Sequence, residues 1–343
     1  MTPHAVRSAL CRTNARWAVV FTIAVLQSAQ SQDDLRPPGE LVDVGGYRIH
    51  LWCIGPIDSG PTVVLSSGAG GYALDWALVQ PVVAESRRVC SYDRANYGFS
   101  DVGPSPRTLR QEAAELHAAL NIAGERPPYV VVGQSMGGVV VRVFTRDYPD
   151  DVVGVVLVDA PSENTRLGFR GEFLPPRTRA SDRPVPAPRS LAEGPPVALT
   201  GDAADQCRSA AASARVFGPY LKLPQKEQQM LLWFLQHPKC FVGDEYLAEE
   251  LAQIFRDRAT NPQPFGALPL IVLNAGASST PPGVDASEWR AEKLDDKADL
   301  ARLSSEGRLV TDPTSGHFIH FDNPGLVVNA ITEVVEQASR RAD

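Results

Sequence analysis

The segment Gly133-Gln134-Ser135-Met136-Gly137-Gly138 constrains the fold more than any other part of the chain. It follows the apolar run Tyr129-Val130-Val131-Val132 and precedes a helix-compatible run, residues 139–148. A Gly-x-Ser-x-Gly core between a strand and a helix is typical of a serine held on a sharp, strained turn. We therefore expect the Ser135 hydroxyl to stand exposed above a sheet edge. The backbone N–H of Met136 would then point to where an oxyanion could form.

Composition and charge place the chain among ordinary globular proteins. Of its 343 residues, 43% are hydrophobic and 21% are charged, and this length is enough for one large core or two modest ones. The net charge of -7 and the lack of a Lys/Arg-rich run argue against nucleic acid as a partner.

The N-terminus has the pattern of a secretory signal peptide. Three arginines precede the apolar run 17–26, and Ala29-Gln30-Ser31 offers a small-x-small cleavage site. The apolar run is shorter than the roughly 20 residues of a membrane span, so we expect no stable span after signal removal. We predict a signal peptide over residues 1–31 and a secreted or periplasmic protein, with an uncleaved signal anchor as the alternative.

Four cysteines remain after the predicted signal: Cys53, Cys90, Cys207 and Cys240. An even number in an oxidising compartment favours disulfides, and four cysteines allow three pairings. Cys207 and Cys240 share one polar, helical region and form the favoured pair. Cys53 and Cys90 lie in strand-like runs, and the sequence does not decide whether they form a disulfide or are buried free thiols.

Short apolar runs alternate with helical patterns along most of the chain. This alternation predicts a parallel sheet with helices on both faces, preceded by a hairpin over residues 39–55. The alternation stops at Pro161 and resumes at Leu268. We therefore predict a core over residues 32–161 and 267–343, and a cap or lid over residues 162–266.

A serine hydroxyl needs a base, and the base needs an acid that orients it. For a serine on a strand–turn–helix, the chain order is serine, acid, histidine. His317 lies after the last predicted strand and before the final helix, so it is the favoured base. His320 is its competitor and is expected to be a partly exposed loop histidine. Because no carboxylate or cysteine cluster accompanies these two histidines, we expect no metal site.

Two aspartates compete for the role of the acid. The common location, three residues past Gly276, holds Ser279 instead of a carboxylate. Asp285 follows later in that loop and is the alternative acid. Asp159 ends the strand after the serine's strand, at the carboxyl edge where catalytic groups collect, and it is the favoured acid. The oxyanion donors are expected to be Met136 and Ala69, with Gly70 as the alternative to Ala69.

These residues together resemble the α/β-hydrolase superfamily. The resemblance rests on residues 133–138, on Ser315-Gly316-His317, and on Tyr92-Asp93-Arg94-Ala95-Asn96-Tyr97-Gly98-Phe99-Ser100, which is similar to a structural turn of many members. It implies an α/β-hydrolase fold: a mostly parallel eight-stranded sheet with helices on both faces, and a largely helical cap inserted after the sixth strand. It also implies that the strands of Cys53 and Cys90 are neighbours, and that some members carry the acid where Asp159 falls.

The expected function is that of an exported serine hydrolase that cleaves carboxylic esters or lactones of small molecules without a cofactor. The catalytic residues would be Ser135, His317 and Asp159. The alternatives are an aminopeptidase, an acyltransferase or a cofactor-free haloperoxidase-like perhydrolase on the same site. A non-catalytic binding protein on this fold is the alternative from another class. The substrate and the oligomeric state are left open.

Overall fold

The apolar runs of the sequence form the strands of one eight-stranded sheet, ordered β1-β2-β4-β3-β5-β6-β9-β10. The first two strand pairs are antiparallel and the remaining pairs are parallel. A separate antiparallel pair joins β7 and β8. In chain order the strands are β1 (Glu40–Asp43), β2 (Arg48–Ile54), β3 (Thr62–Ser66), β4 (Val89–Asp93), β5 (Tyr129–Gln134), β6 (Val152–Val158), β7 (Leu167–Phe169), β8 (Glu172–Leu174), β9 (Leu270–Ala275) and β10 (Gly307–Asp312).

The coordinates are a computed structural model, which describes residues 37–165, 167–169, 172–174, 183–187, 197–241 and 246–342. The predicted signal peptide lies outside the described residues. The helices are α1 (Gln80–Val83), α2 (Leu109–Ile122), α3 (Met136–Asp147), α4 (Gly201–Ala212), α5 (Gln225–Gln236), α6 (Leu247–Thr260), α7 (Ala286–Ala301), α8 (Ile319–Asp322) and α9 (Pro324–Ala342).

Helices cover both faces of the sheet. Successive strand residues point to opposite faces, so Val131 packs with α2 and α3, whereas Val130 and Val132 pack with α9. In α9, Val327, Ile331 and Val334 recur at helical spacing and are buried. The predicted eight-stranded, mostly parallel sheet with helices on both faces is confirmed.

The parallel strands β3, β5, β6 and β9 are neighbours, so their carboxyl ends meet at one edge of the sheet. Ser135 directly follows β5 and Asp159 directly follows β6. The loop after β3 begins at Ser67. This edge therefore brings together Ser135, Asp159 and the loop after β3, all of which are predicted from the sequence to be parts of the active site.

The described residues between β6 and β9 include α4, α5 and α6, and part of this segment packs on the core. The ring of Phe234 on α5 lies 4.8 Å from the Tyr72 ring and 4.7 Å from the Phe99 ring, measured between centroids. Lys239 Nζ donates a hydrogen bond to the carbonyl oxygen of Gly98 at 2.9 Å. These contacts attach the segment to the loop that follows β3 and to the turn that follows β4.

Both candidate disulfides are present in the structure. Cys53 on β2 lies directly opposite Cys90 on β4, and the two are bonded. Cys207 on α4 is bonded to Cys240, which follows α5. In the described part of the chain, no helix combines the length and the apolar character needed to cross a bilayer.

Candidate active site

Ser135 lies on a strained turn between β5 and α3. Its φ of 51° and ψ of -122° belong to a region that residues with a side chain rarely occupy. A Cβ atom at Gly133 would lie 2.4 Å from the Gly137 carbonyl oxygen, and one at Gly137 would lie 2.2 Å from the Ser66 carbonyl oxygen. The close approach of three backbone segments explains why the turn has glycine on both sides of Ser135.

His317 and Asp159 meet above the sheet edge. Nδ1 of His317 lies 2.6 Å from Oδ2 of Asp159, although the two residues come from the loops after β10 and β6. The His317 side chain is 43% exposed, whereas that of Asp159 is 1% exposed. Asp159 has a positive φ of 42°, which is a second strained backbone at this edge.

Asp159 is a charged carboxylate in spite of its burial. Burial alone would raise its pKa, but the cationic Lys297, the hydrogen bond from His317 and the cationic Lys293 together lower the pKa to about 2. Lys297 Nζ lies 3.3 Å from Oδ1, and Lys293 Nζ lies 3.4 Å from Oδ2. An ionised Asp159 can only accept a hydrogen bond, so Nδ1 of His317 is the donor of this contact and Nε2 lies on the other side of the ring.

Gln134 occupies the space beside Nε2 of His317. Its Nε2 lies 3.3 Å from His317 Nε2 and donates to the His317 carbonyl oxygen at 3.2 Å. Within the described residues, Ser135 Oγ makes no hydrogen bond. The structure thus brings His317 to the serine turn, and the amide of Gln134 lies against the ring nitrogen that faces the turn.

The competing residues have other roles in the structure. Asp285 is exposed and caps α7, where it accepts hydrogen bonds of 2.9 Å from the N–H groups of Ser287 and Glu288. Its carboxylate is therefore occupied at a helix N-terminus. The expectation that His320 is a partly exposed loop histidine is wrong: it lies on α8 and is buried, with its ring 5.1 Å from the Trp76 ring. Burial lowers its pKa to about 3. A ring with so low a pKa stays neutral at ordinary pH.

The loop after β3 lies against the serine turn. A Cβ atom at Gly68 would lie 3.2 Å from Ser135 Cβ, so glycine allows this close approach. Ala69 is exposed, and Ser67 Oγ donates to the Tyr72 carbonyl oxygen at 2.7 Å, which holds the far end of the loop. Met136 is the first residue of α3, and the first N–H groups of a helix have no partner within it.

Among the described residues, Cys53, Cys90 and Glu125 are grouped closely enough to hold a metal ion. The two cysteines form a disulfide, so they offer no thiolate to a metal. This group lies on β2, on β4 and in the loop before β5.

Sequence reasoning missed four residues that contact the site. Lys293, Lys297 and Gln134 contact Asp159 or His317, and Arg94 donates to the backbone oxygens of Ser67 and Gly68 in the loop after β3. The two lysines are four residues apart on α7 and so share a helix face, a spacing that is visible in the sequence. Their partner Asp159 lies 134 residues before Lys293. Only the packing of α7 against the sheet pairs them with that carboxylate, so no local pattern would have identified them.

Comparison with known proteins identifies the family of the chain. Residues 63–330 match the model of the alpha/beta hydrolase family. The chain belongs to this family. A relative described as "Probable transporter efuK" from Hormonema carpetanum is 27% identical over 325 residues, which cover 87% of the chain but 42% of that protein. The chain thus spans less than half the length of this curated relative.

Two solved structures illustrate the shared fold. An esterase from Thermogutta terrifontis is 20% identical with a TM-score of 0.53, and the match covers 85% of this chain and 94% of the esterase. The enol-lactonase from Burkholderia xenovorans LB400 is 15% identical with a TM-score of 0.54, and the match covers 84% of this chain and 97% of the enol-lactonase. At these identities the likeness concerns the fold.

Proposed function

We propose that the protein is a serine hydrolase that cleaves carboxylic esters or lactones of small molecules through Ser135, His317 and Asp159. The observation that carries the proposal is the 2.6 Å contact of His317 Nδ1 with an ionised, buried Asp159 beside the strained serine turn. The family supplies hydrolases, and the similar folds of an esterase and an enol-lactonase favour ester and lactone bonds.

The first half of the proposed reaction forms an acyl-enzyme. His317 Nε2 takes the proton of Ser135 as Oγ attacks the carbonyl carbon of the substrate. Gln134 must move aside first, because its amide lies against the same nitrogen. The imidazolium then gives its proton to the leaving alkoxide, which departs as an alcohol or, from a lactone, stays attached to the acyl group.

The second half releases the acid. His317 Nε2 takes a proton from water, and the hydroxide attacks the acyl-enzyme carbonyl. The C–O bond to Ser135 breaks, and Oγ recovers its proton from His317. Asp159 stabilises the imidazolium in both halves and keeps its own charge.

The negative charge of each tetrahedral intermediate would be held by the backbone N–H groups of Met136 and Ala69. Met136 offers its N–H because it opens α3, and Ala69 lies in the loop that touches Ser135 through Gly68. One such donor typically accounts for about 3 kcal/mol of barrier lowering.

We also propose that the protein is exported and that residues 162–266 form a cap that sets the substrate preference. The two disulfides support an oxidising compartment, since disulfides persist mainly in exported proteins. The packing of Phe234 on Tyr72 supports a cap placed near the loop that follows β3.

A fluorophosphonate probe, which reacts with an activated serine, tests the proposal without knowledge of the substrate. We expect labelling of the wild-type protein on Ser135, and none in Ser135→Ala. The matched control is Ser305→Ala, because Ser305 lies in the turn before β10 and its N–H and hydroxyl both donate to the Gly266 carbonyl oxygen. Folded wild-type protein that resists the probe and hydrolyses no ester or lactone of a broad panel would contradict the proposal.

A further inference from the structure

Arg94 lies buried beneath the loop that follows β3. Its side chain is 4% exposed, and its two terminal nitrogens donate to consecutive backbone carbonyls. Nη1 donates to the Ser67 oxygen at 2.5 Å, and Nη2 donates to the Gly68 oxygen at 2.6 Å. The planar guanidinium suits such a two-point contact, which a lysine cannot reproduce.

The surroundings of Arg94 hold the guanidinium in place. Nε lies 3.7 Å from Oε2 of Glu112, a buried carboxylate on α2 that balances the charge. Its guanidinium carbon lies 5.2 Å from the centre of the Tyr97 ring. The position of the two donors is therefore determined by packing from α2 and from the turn after β4.

Because a peptide unit is planar, a contact that fixes its C=O also fixes the direction of its N–H on the opposite side of the loop. In a trans peptide, the C=O and the N–H of the same unit point in opposite directions. When Arg94 holds the oxygens of Ser67 and Gly68, the N–H groups of Gly68 and Ala69 point away from it. The Gly68 oxygen also accepts from the Gly71 N–H at 3.0 Å, so this peptide plane is fixed twice.

We propose that Arg94 is a positioning residue that fixes the peptide planes of the loop and thereby orients the Ala69 N–H toward the oxyanion. The proposal rests on the proposed function, because it assigns a role within the same site. It concerns a residue that need not touch the substrate, since its contacts are the backbone oxygens behind the loop.

A second buried arginine gives a matched control for a merely structural role. Arg107 is 1% exposed, and its Nη2 donates to Oε2 of Glu115 on α2 at 2.7 Å. Both arginines are thus buried cations paired with a glutamate of the same helix. Arg94 donates to the loop beside Ser135, whereas Arg107 pairs with Glu115, so a difference between the two variants reports on the loop contact.

The test compares Arg94→Met, Arg94→Lys and Arg107→Met with the wild type on an activated ester. We expect Arg94→Met to lower kcat about 10- to 100-fold and to change KM less than threefold, because an oriented donor acts mainly on the transition state. Affinity for a boronic acid, which forms a tetrahedral adduct, should fall by the same factor. The kcat and the boronic acid affinity of Arg94→Lys should lie between those of the wild type and Arg94→Met. The kcat of Arg107→Met should stay within threefold of the wild-type value.

A cooperative thermal unfolding transition shows that a variant is folded. If Arg94→Met does not fold, the comparison is made with Arg94→Lys. Wild-type kcat and boronic acid affinity in folded Arg94→Lys and Arg94→Met would overturn the inference while leaving the proposed function intact. An equal loss of kcat in Arg107→Met would overturn it as well. A wild-type protein that resists both the fluorophosphonate and the ester would overturn the proposed function and this inference together.

Discussion

The loops after β6 and β9 each offer an aspartate at the same edge of the sheet, and the two carboxylates have opposite surroundings. Asp159 is buried, lies on a strained backbone, and contacts His317 and two lysines. Asp285 is exposed and accepts the N–H groups that open α7. The comparison shows that the carboxylate in contact with His317 is the buried one, held between two lysines, whereas the exposed one is occupied by a helix cap.

Asp75 shows that burial by itself has the opposite effect on a carboxylate. It is as buried as Asp159, but no lysine contacts it, and burial raises its pKa to about 8. The N–H of Tyr72 and the charge of Arg94 act in the other direction but are too weak to reverse the shift. Lys293 and Lys297 thus distinguish a buried charged aspartate from a buried neutral one.

Replacement of Asp159 should give the largest effect. We expect Asp159→Asn to lower kcat/KM about 1,000- to 10,000-fold, because asparagine neither stabilises the imidazolium nor enforces the Nδ1–H tautomer. Asp285→Asn is the control, and its kcat/KM should stay within twofold, since asparagine caps helices about as well as aspartate. Ester hydrolysis by both variants measures the difference, and the reverse ranking would assign the role to Asp285.

Removal of Lys297 should lower the free energy of unfolding by about 2–3 kcal/mol at pH 7, because it takes a cation from a buried carboxylate. A lowered pKa adds stability above the unfolded value of about 4, and that stability is lost as the pH falls toward 2. The deficit of Lys297→Met should therefore shrink in acid. Urea unfolding at pH 7 and pH 3 measures the difference in unfolding free energy between Lys297→Met and the wild type. Lys293→Met is the control, because Lys293 contacts the same carboxylate but is more exposed.

Neutralisation of Asp75 should stabilise the protein. Its raised pKa means that the folded state holds a proton which the unfolded state releases above pH 4, so stability declines from pH 4 to pH 8. We expect Asp75→Asn to raise the free energy of unfolding by about 1–2 kcal/mol at pH 8 and by less at pH 5. Equal gains at both pH values would show that Asp75 is charged in the folded protein.

The smallest effect is expected at the exposed aspartate. Asp285→Ala removes the cap of α7 and should cost about 1 kcal/mol of stability. Its kcat/KM should match that of Asp285→Asn, because neither variant touches His317. Thermal unfolding alongside ester hydrolysis checks this, and a joint loss of both would show that α7 positions the lysines through its cap.

The fold and the serine turn follow from local patterns in the sequence. Apolar runs, glycines beside Ser135 and the recurrence of Val327 and Ile331 are visible in the sequence without tertiary information. The neighbouring positions of Cys53 and Cys90 required the strand order implied by the resemblance. The signal peptide, the cap and the roles of Ser135, His317 and Asp159 stay predictions.

The remaining contacts of the site depend on tertiary packing. Lys297 reaches Asp159 because α7 packs beside β9, and Arg94 reaches the loop after β3 because β4 is the neighbour of β3. Each contact joins segments that lie far apart in the chain. Residue types alone do not show that a lysine on a helix faces a carboxylate instead of solvent.

The rate at which a fluorophosphonate labels Ser135 tests the central claim most directly, because it requires the serine, its base and its acid but no knowledge of the substrate. The account predicts that Asp159→Asn slows this labelling at least 100-fold and that Asp285→Asn labels at the wild-type rate. Labelling of Asp159→Asn at the wild-type rate, with both variants folded, would contradict it.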